Sequence, residues 1–361
     1  VGASKALSSL NINNTGDGKI AGSVNIANMA ETAGSAAINS TGNVSIGGKV
    51  NAADGFTVGT AAQKAASAVF GDKITTGSDT KVYAAGDITT NGVDAGARVL
   101  LSSDKGDITL AGGTVQSAAA GDNEAVVIGT NGSFVNKAGA DAVKTTGKDS
   151  SWKIFSAAPS TDTFGDLDSA TNAVWNTAYT DGAAAKEAAD NSNRYIFAYQ
   201  PTVTVKTGDI EKTYGDVITD TTTTYQAEDF SAYKGHAFDE SASAVYKEGQ
   251  TSSDGFAGTA RRYGGQYDND GDGYNEVYDI TVTGAKALNG YKLDVENGKL
   301  TINQKELLLT PEGEADYGGC YSLGLEADGL VNGDQVYGCR KNVNLSLSSP
   351  KKIKINAMGT R

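Results

Sequence analysis

Between Asp268 and Asp279 the chain reads Asp268-Asn269-Asp270-Gly271-Asp272-Gly273-Tyr274-Asn275-Glu276-Val277-Tyr278-Asp279, with carboxylates at the first, third, fifth, ninth and twelfth places and a glycine at the sixth. In calcium loops of the EF-hand type this spacing wraps oxygen ligands around one hard cation, and the glycine permits the sharp turn. The predicted ligands of a structural Ca2+ are therefore Asp268, Asp270, Asp272, Tyr274, Glu276 and Asp279. Asp279 stands where such loops end on glutamate, which shortens the reach. No helical pattern precedes the loop, so a helix-loop-helix hand is not expected. The same residues also suit a solvated acidic hairpin tip, because Asp, Asn and Gly favour turns.

Cys320 and Cys339, the two cysteines of the chain, enclose eighteen residues. They suit one disulfide formed in an oxidising compartment, and closing a loop of that size is worth roughly 3 kcal/mol. A stapled terminal hairpin and a free thiol pair are the plainer readings. From Arg340 onward there is no Asp or Glu, while Arg340, Lys341, Lys351, Lys352 and Lys354 form a basic tail. Alternation in Val343-Leu345-Leu347 and Ile353-Ile355 predicts strand with lysines on the opposite face. Lysines there either protect a sheet edge or meet an acidic surface.

Catalysis finds little support. His236 is the single histidine, and no serine or cysteine carries a nucleophile motif around it. None of the 43 acidic residues forms a recognisable catalytic pair. The chain reads as a non-enzyme, with polysaccharide degradation the weaker alternative. The formal charge of −13 would repel a phosphate backbone, which argues against nucleic acid. No run approaches the ~18–20 apolar residues of a spanning helix, and the Val1-Gly2-Ala3 start has no leader pattern. The chain is read as processed or cut from something longer.

The elements that must position these groups are mostly short strands. Runs such as Lys19-Ile20-Ala21-Gly22-Ser23-Val24-Asn25-Ile26, Gly42-Asn43-Val44-Ser45-Ile46, Gly86-Asp87-Ile88-Thr89-Thr90 and Gly106-Asp107-Ile108-Thr109-Leu110 alternate apolar with small polar residues. Turn residues return at roughly 20-residue intervals, and strands this short bury a core by stacking coil on coil. The expected fold is all-β: a right-handed parallel β-helix over residues 1–150, with a β-sandwich of hairpins as the alternative. One helix is expected to interrupt it, over Thr60–Gly71, with a capping threonine and a terminal glycine, and a second is expected over Asp181–Asp190 in the linking region that follows. Residues 151–200, with Trp152-Lys153-Ile154-Phe155 and Arg194-Tyr195-Ile196-Phe197, read as an aromatic cap and linker, because an open helix end would expose apolar coils and unpaired edges. Beyond Pro201 the strands lengthen. Residues 201–304 read as one β module, and 305–361 as a truncated second one that carries both cysteines. The echo of Glu211-Lys212-Thr213-Tyr214-Gly215-Asp216 in Glu314-Ala315-Asp316-Tyr317-Gly318-Gly319 supports this division.

These residues resemble a known family, the large exoproteins of Gram-negative two-partner secretion, including filamentous-haemagglutinin-like and high-molecular-weight adhesins. The Gly-Asn/Asp-Val/Ile coils look like the passenger repeats. Trp152-Lys153-Ile154-Phe155, Thr163-Phe164-Gly165-Asp166-Leu167, Ala173-Val174-Trp175-Asn176 and Arg194-Tyr195-Ile196-Phe197 resemble the stretch before their terminal modules. Thr213-Tyr214-Gly215-Asp216, Asn289-Gly290-Tyr291 and Gly298-Lys299-Leu300-Thr301-Ile302 are similar to the Tyr-Gly β repeats known as YDG or MBG domains. The Asn-Pro-rich secretion domain of the family is absent from this stretch. The resemblance implies a C-terminal portion of a surface adhesin, active in adhesion, aggregation or biofilm formation. It implies an outer-membrane transporter as partner and a host-cell or matrix glycan as target. It also implies that a loop closed by Cys320 and Cys339 stays on the periplasmic side of the pore and tethers the fibre. A carbohydrate-binding β-helix is the other reading.

Overall fold

The computed structural model describes residues 10–14, 24–26, 32–181, 190–219, 221–261, 265, 267, 276–314, 322–335 and 351–355. The chain divides into two compact units. The first comprises Val1–Thr202, Ala227–Tyr246 and Ala287–Lys292, and the second Val203–Gln226, Lys247–Lys286 and Leu293–Arg361. Two pieces of the 201–304 stretch thus belong to the first unit.

The first unit is a parallel β-helix with three sheets. The longest stacks Leu10–Asn14, Ala36–Ser40, Phe56–Val58, Thr80–Ala84, Val99–Ser103, Val126–Gly129, Trp152–Ser156 and Arg194–Phe197. The second stacks Val24–Ile26, Asn43–Ile46, Ser67–Phe70, Ile88–Thr90, Ile108–Leu110 and Phe134–Asn136. The third stacks Val50–Ala52, Ile74–Thr76, Val93–Ala95, Val115–Ser117 and Val143–Thr145. Within each sheet, strands from successive coils pair parallel and in register. Ile38, Val58, Val82, Leu101, Ile128, Ile154 and Tyr195 form one inward ladder, all fully buried. The first six of these recur at intervals of 19 to 27 residues, each interval being one coil. Val50, Ile74, Val93, Val115 and Val143 form another ladder in the third sheet. β-branched residues suit these positions because their stiff side chains pack coil on coil.

Thr60–Gly71 is not helical. Gln63 N–H donates to Thr60 Oγ1 at 3.0 Å in a turn, Ala65 bridges Ala84, and Ser67–Phe70 forms a strand paired with Asn43–Ile46. The helix propensity of the alanines and Lys64 is overridden because strand register buries Ala68 and Phe70 in the core. The helix expected over 181–190 falls almost wholly outside the described residues.

In the second unit, Ile210–Thr213, Gly298–Asn303, Val277–Thr283 and Gln250–Ser252 form a four-stranded sheet around Tyr278, Ile280, Leu300 and Ile302. Lys305–Glu314 is the centre of a three-stranded sheet, flanked by Ser322–Asp328 and Lys351–Ile355.

Candidate functional site: the closed end of the β-helix

The last coils of the helix carry the largest side chains. Trp152, Tyr195 and Phe197 come from the long sheet, and Phe164 follows the last coil of the second. Segment 174–177 supplies a terminating edge: Val174 N–H donates to Tyr195 O, and Phe197 N–H donates back to Val174 O. Over this face lies the piece 227–246. Phe230 stacks on Trp175 at 4.5 Å between ring centroids, and Phe238 packs edge-on to both Trp175 and Phe164. Trp175 and Phe197 are fully buried as a result. Aromatic rings suit the place, since offset and edge contacts fill the wide mouth of a coil. Asn289-Gly290 completes the closure in a turn with φ of 51° and 85°. A side chain on Gly290 would run into the Trp175 backbone, so only glycine fits there. The Asn289-Gly290-Tyr291 motif therefore seats a turn on the cap of the first unit.

Two carboxyls are built into this closure. Glu240 Oε1 accepts from Ala173 N–H at 3.0 Å and Trp175 Nε1–H at 3.2 Å. Burial nevertheless raises its pKa to about 7 against those two bonds and the Arg194 charge. Asp162 accepts from Phe134 N–H at 2.8 Å and from the Ser156 hydroxyl at 2.5 Å, and burial likewise lifts it to about 7. Ala170, nearby, holds φ of 54°, a left-handed conformation that costs an L-residue ~1–2 kcal/mol. Ala170→Gly is expected to stabilise the first unit by about 0.5–1 kcal/mol after the loss of chain entropy. Urea unfolding of the two chains checks this.

From the cap, residues 177–181 run back along the outer face of the long sheet. Tyr179 rests on Gly129, whose missing side chain leaves room for the ring, and beside Phe155. Asp181 then accepts from Ser102, Lys64 and Tyr179, while Lys64 also reaches Asp104. Burial pulls Lys64 down, but the two carboxylates outweigh it and hold the ammonium above its ordinary pKa. These contacts tie Asp181 to the coils beneath it. Lys153 bonds to Ser151 Oγ, Asp190 O and Ser192 O, and burial lowers it to about 8.

Cys320, Cys339, Arg340 and Lys341 fall outside the described residues, as do Asp268, Asp270, Asp272 and Tyr274. Glu276 is buried, and Asp279 on its strand accepts from Tyr267 OH at 3.2 Å with Lys299 Nζ 3.7 Å away. Tyr267 and Val277 form a β-bridge that closes the stem of the acidic loop. Among the described residues no group of His, Cys, Asp and Glu is placed to hold a metal ion. Lys351, Lys352 and Lys354 lie on an edge strand, with Lys352 opposite Leu308 and Lys354 opposite Glu306. Tyr214-Gly215-Asp216 is a turn: Asp216 N–H donates to Thr213 O at 3.0 Å, its carboxylate accepts from Thr213 N–H at 3.1 Å, and Gly215 has φ of 100°. His236 sits on the surface with Nδ1 3.0 Å from Asp166 Oδ1.

By fold the first unit is a parallel β-helix with an aromatic cap. No protein-family model, no curated protein and no solved structure matches the chain.

Proposed function

We propose that this chain is the stalk and surface-anchoring region of a large secreted adhesin at the outer membrane of a Gram-negative bacterium. The observation that carries the reading is the long sheet of eight strands stacked in register. At ~4.8 Å per strand it makes a rod about 34 Å long whose backbone groups are paired from coil to coil. Such a rod resists bending and holds a distal region away from the cell. In this reading the loop between Cys320 and Cys339 retains the fibre at the pore of its transporter, the acidic 268–279 loop takes structural Ca2+, and the adhesive target is a glycan.

Excising Ile38–Thr57 removes one coil and leaves Val58 where Ile38 stood opposite Ile12. A spacer tolerates this, so surface display and adhesion of the full-length protein are expected to stay within twofold of wild type. A glycan groove on those coils would lose binding instead. For the anchor, Cys320→Ser is expected to move most of the protein from the cell fraction into the medium. Unchanged retention would reduce the bond to a local staple.

A further inference from the structure

Three acidic side chains are built into the capped end. Glu240 Oε2 and Asp239 Oδ1 are buried without a hydrogen-bond partner among the described residues. Asp162 is enclosed with one backbone amide and one hydroxyl as donors. We propose that the cap is a proton-operated latch: with Asp162 and Glu240 protonated the 227–246 segment closes over the end of the β-helix, and their ionisation loosens it.

The geometry places both groups at the joint. Glu240 lies on the covering segment and grips the underlying strand through Ala173 and Trp175. The neighbouring ties are Ser169 N–H to Ala237 O at 2.7 Å and Asp239 N–H to Thr171 O at 3.0 Å. Asp162 lies on the helix side, where its charge would act on Tyr195 of the last strand and Tyr233 of the covering segment. The charged and titratable groups around Glu240 are Arg194 on the strand beneath and Tyr291 on the 287–292 turn, with Asp239 next to it in the chain; Glu228 acts on the same Tyr291. Those facing Asp162 are Asp107, Tyr195 and Tyr233. Arg194 is the single cation in this set, and it is shared with Asp190. The His236–Asp166 contact ties the same segment at the surface and also strengthens when His236 is protonated.

The sign follows from where the protons bind. Both folded carboxyls titrate at about 7, whereas a carboxyl released to water titrates near ~4. Below pH ~4 both states are protonated and opening does not depend on pH. Between ~4 and ~7 the open state ionises first, so each group raises the opening equilibrium up to about tenfold per pH unit. Above ~7 the effect levels off. Closure is strongest in acid.

Hydrogen exchange of the full chain from pH 5 to 8, read as protection factors so that the intrinsic rise with pH cancels, tests the latch. Protection in 171–177 and 228–240 is expected to fall by up to about 2,000-fold between pH 5 and 7, roughly 40- to 50-fold from each carboxyl, and then flatten, while 82–102 in the middle coils stays constant. Glu240→Gln and Asp162→Asn should each remove roughly half of the slope, and His236→Gln should leave most of it. Constant protection at the cap, an equal fall in the middle coils, or a slope that disappears with His236→Gln would overturn the proposal. If either carboxyl variant does not fold, the wild-type profile, with its fall and its plateau, still decides.

Discussion

A chain ended after Thr202 is expected to lose the closed state of its β-helix and to associate through the exposed end. The cut leaves all three sheets in place but removes Phe230, Tyr233, Phe238, Glu240 and Tyr291, which cover Trp175, Phe197 and Phe164. Burying one large apolar side chain is worth about 1.5–3 kcal/mol. Losing four aromatic side chains costs roughly 6–12 kcal/mol, a large share of the ~5–15 kcal/mol that holds a whole domain. Segment 174–177 would also become an open edge, and open edges recruit other chains. Sedimentation and binding of a hydrophobic dye distinguish the outcomes. Residues 1–202 should sediment as aggregates and bind dye, whereas 1–304, which keeps the cover, should not. Phe238→Ala in the full chain isolates one ring and is expected to cost about 3–5 kcal/mol. A monomeric 1–202 fragment that unfolds at the same urea concentration as 1–304 would show that the cover is dispensable.

The sequence made the β-helix legible because its determinants are local. Val44-Ser45-Ile46 and Ile108-Thr109-Leu110 show the two-residue period, and Gly, Asn and Asp mark the corners at the interval that proves to be one coil. The cover was not legible, since Phe230, Tyr233 and Phe238 follow no strand or helix period. They are placed by the shape of a coil end built more than thirty residues earlier. The Thr60–Gly71 expectation failed for a related reason: its composition favours a helix, but neighbouring coils offer partners for both edges of a strand. Asp162 and Glu240 were invisible among 43 acids because burial, not spacing, makes them unusual. One signal was present and unused. Gly129 follows Val126-Val127-Ile128 within a strand, and a glycine there marks a close approach, which Tyr179 makes.

Gly106→Ala is expected to be among the most damaging single-methyl additions in the helix. At this corner Ala66, Gly86, Gly106 and Gly132 follow one another in successive coils, with Gly86 N–H donating to Ala66 O at 2.9 Å. The Ser103 hydroxyl donates to Gly86 O at 2.8 Å, and Thr130 reaches Gly106 O in the same way. A methyl on Gly106 would fall within 3 Å of the Gly86 carbonyl carbon and of Asp87 N. Those are main-chain atoms held by the adjoining coil, so no side chain can rotate aside. Relief requires the coils to part, which breaks the hydroxyl bonds and the in-register pairing of Ile88 with Ile108. Overpacking of this kind costs about 1–3 kcal/mol, and a backbone obstacle places Gly106→Ala at ~3 kcal/mol. Two controls separate this crowding from the general effect of replacing glycine. Gly121 has φ of 65° and open space where a methyl would lie, so Gly121→Ala should cost only the left-handed strain of about 1 kcal/mol. At Gly112 the nearest atom is the Asn91 side-chain oxygen at 3.3 Å, which can give way, so Gly112→Ala should change stability by less than ~0.5 kcal/mol. Urea unfolding of the three variants should rank Gly106, then Gly121, then Gly112. If Gly106→Ala unfolds with Gly112→Ala, the corner column is looser than its main-chain contacts require, and the rigidity attributed to the stalk would have to come from the inward ladders alone.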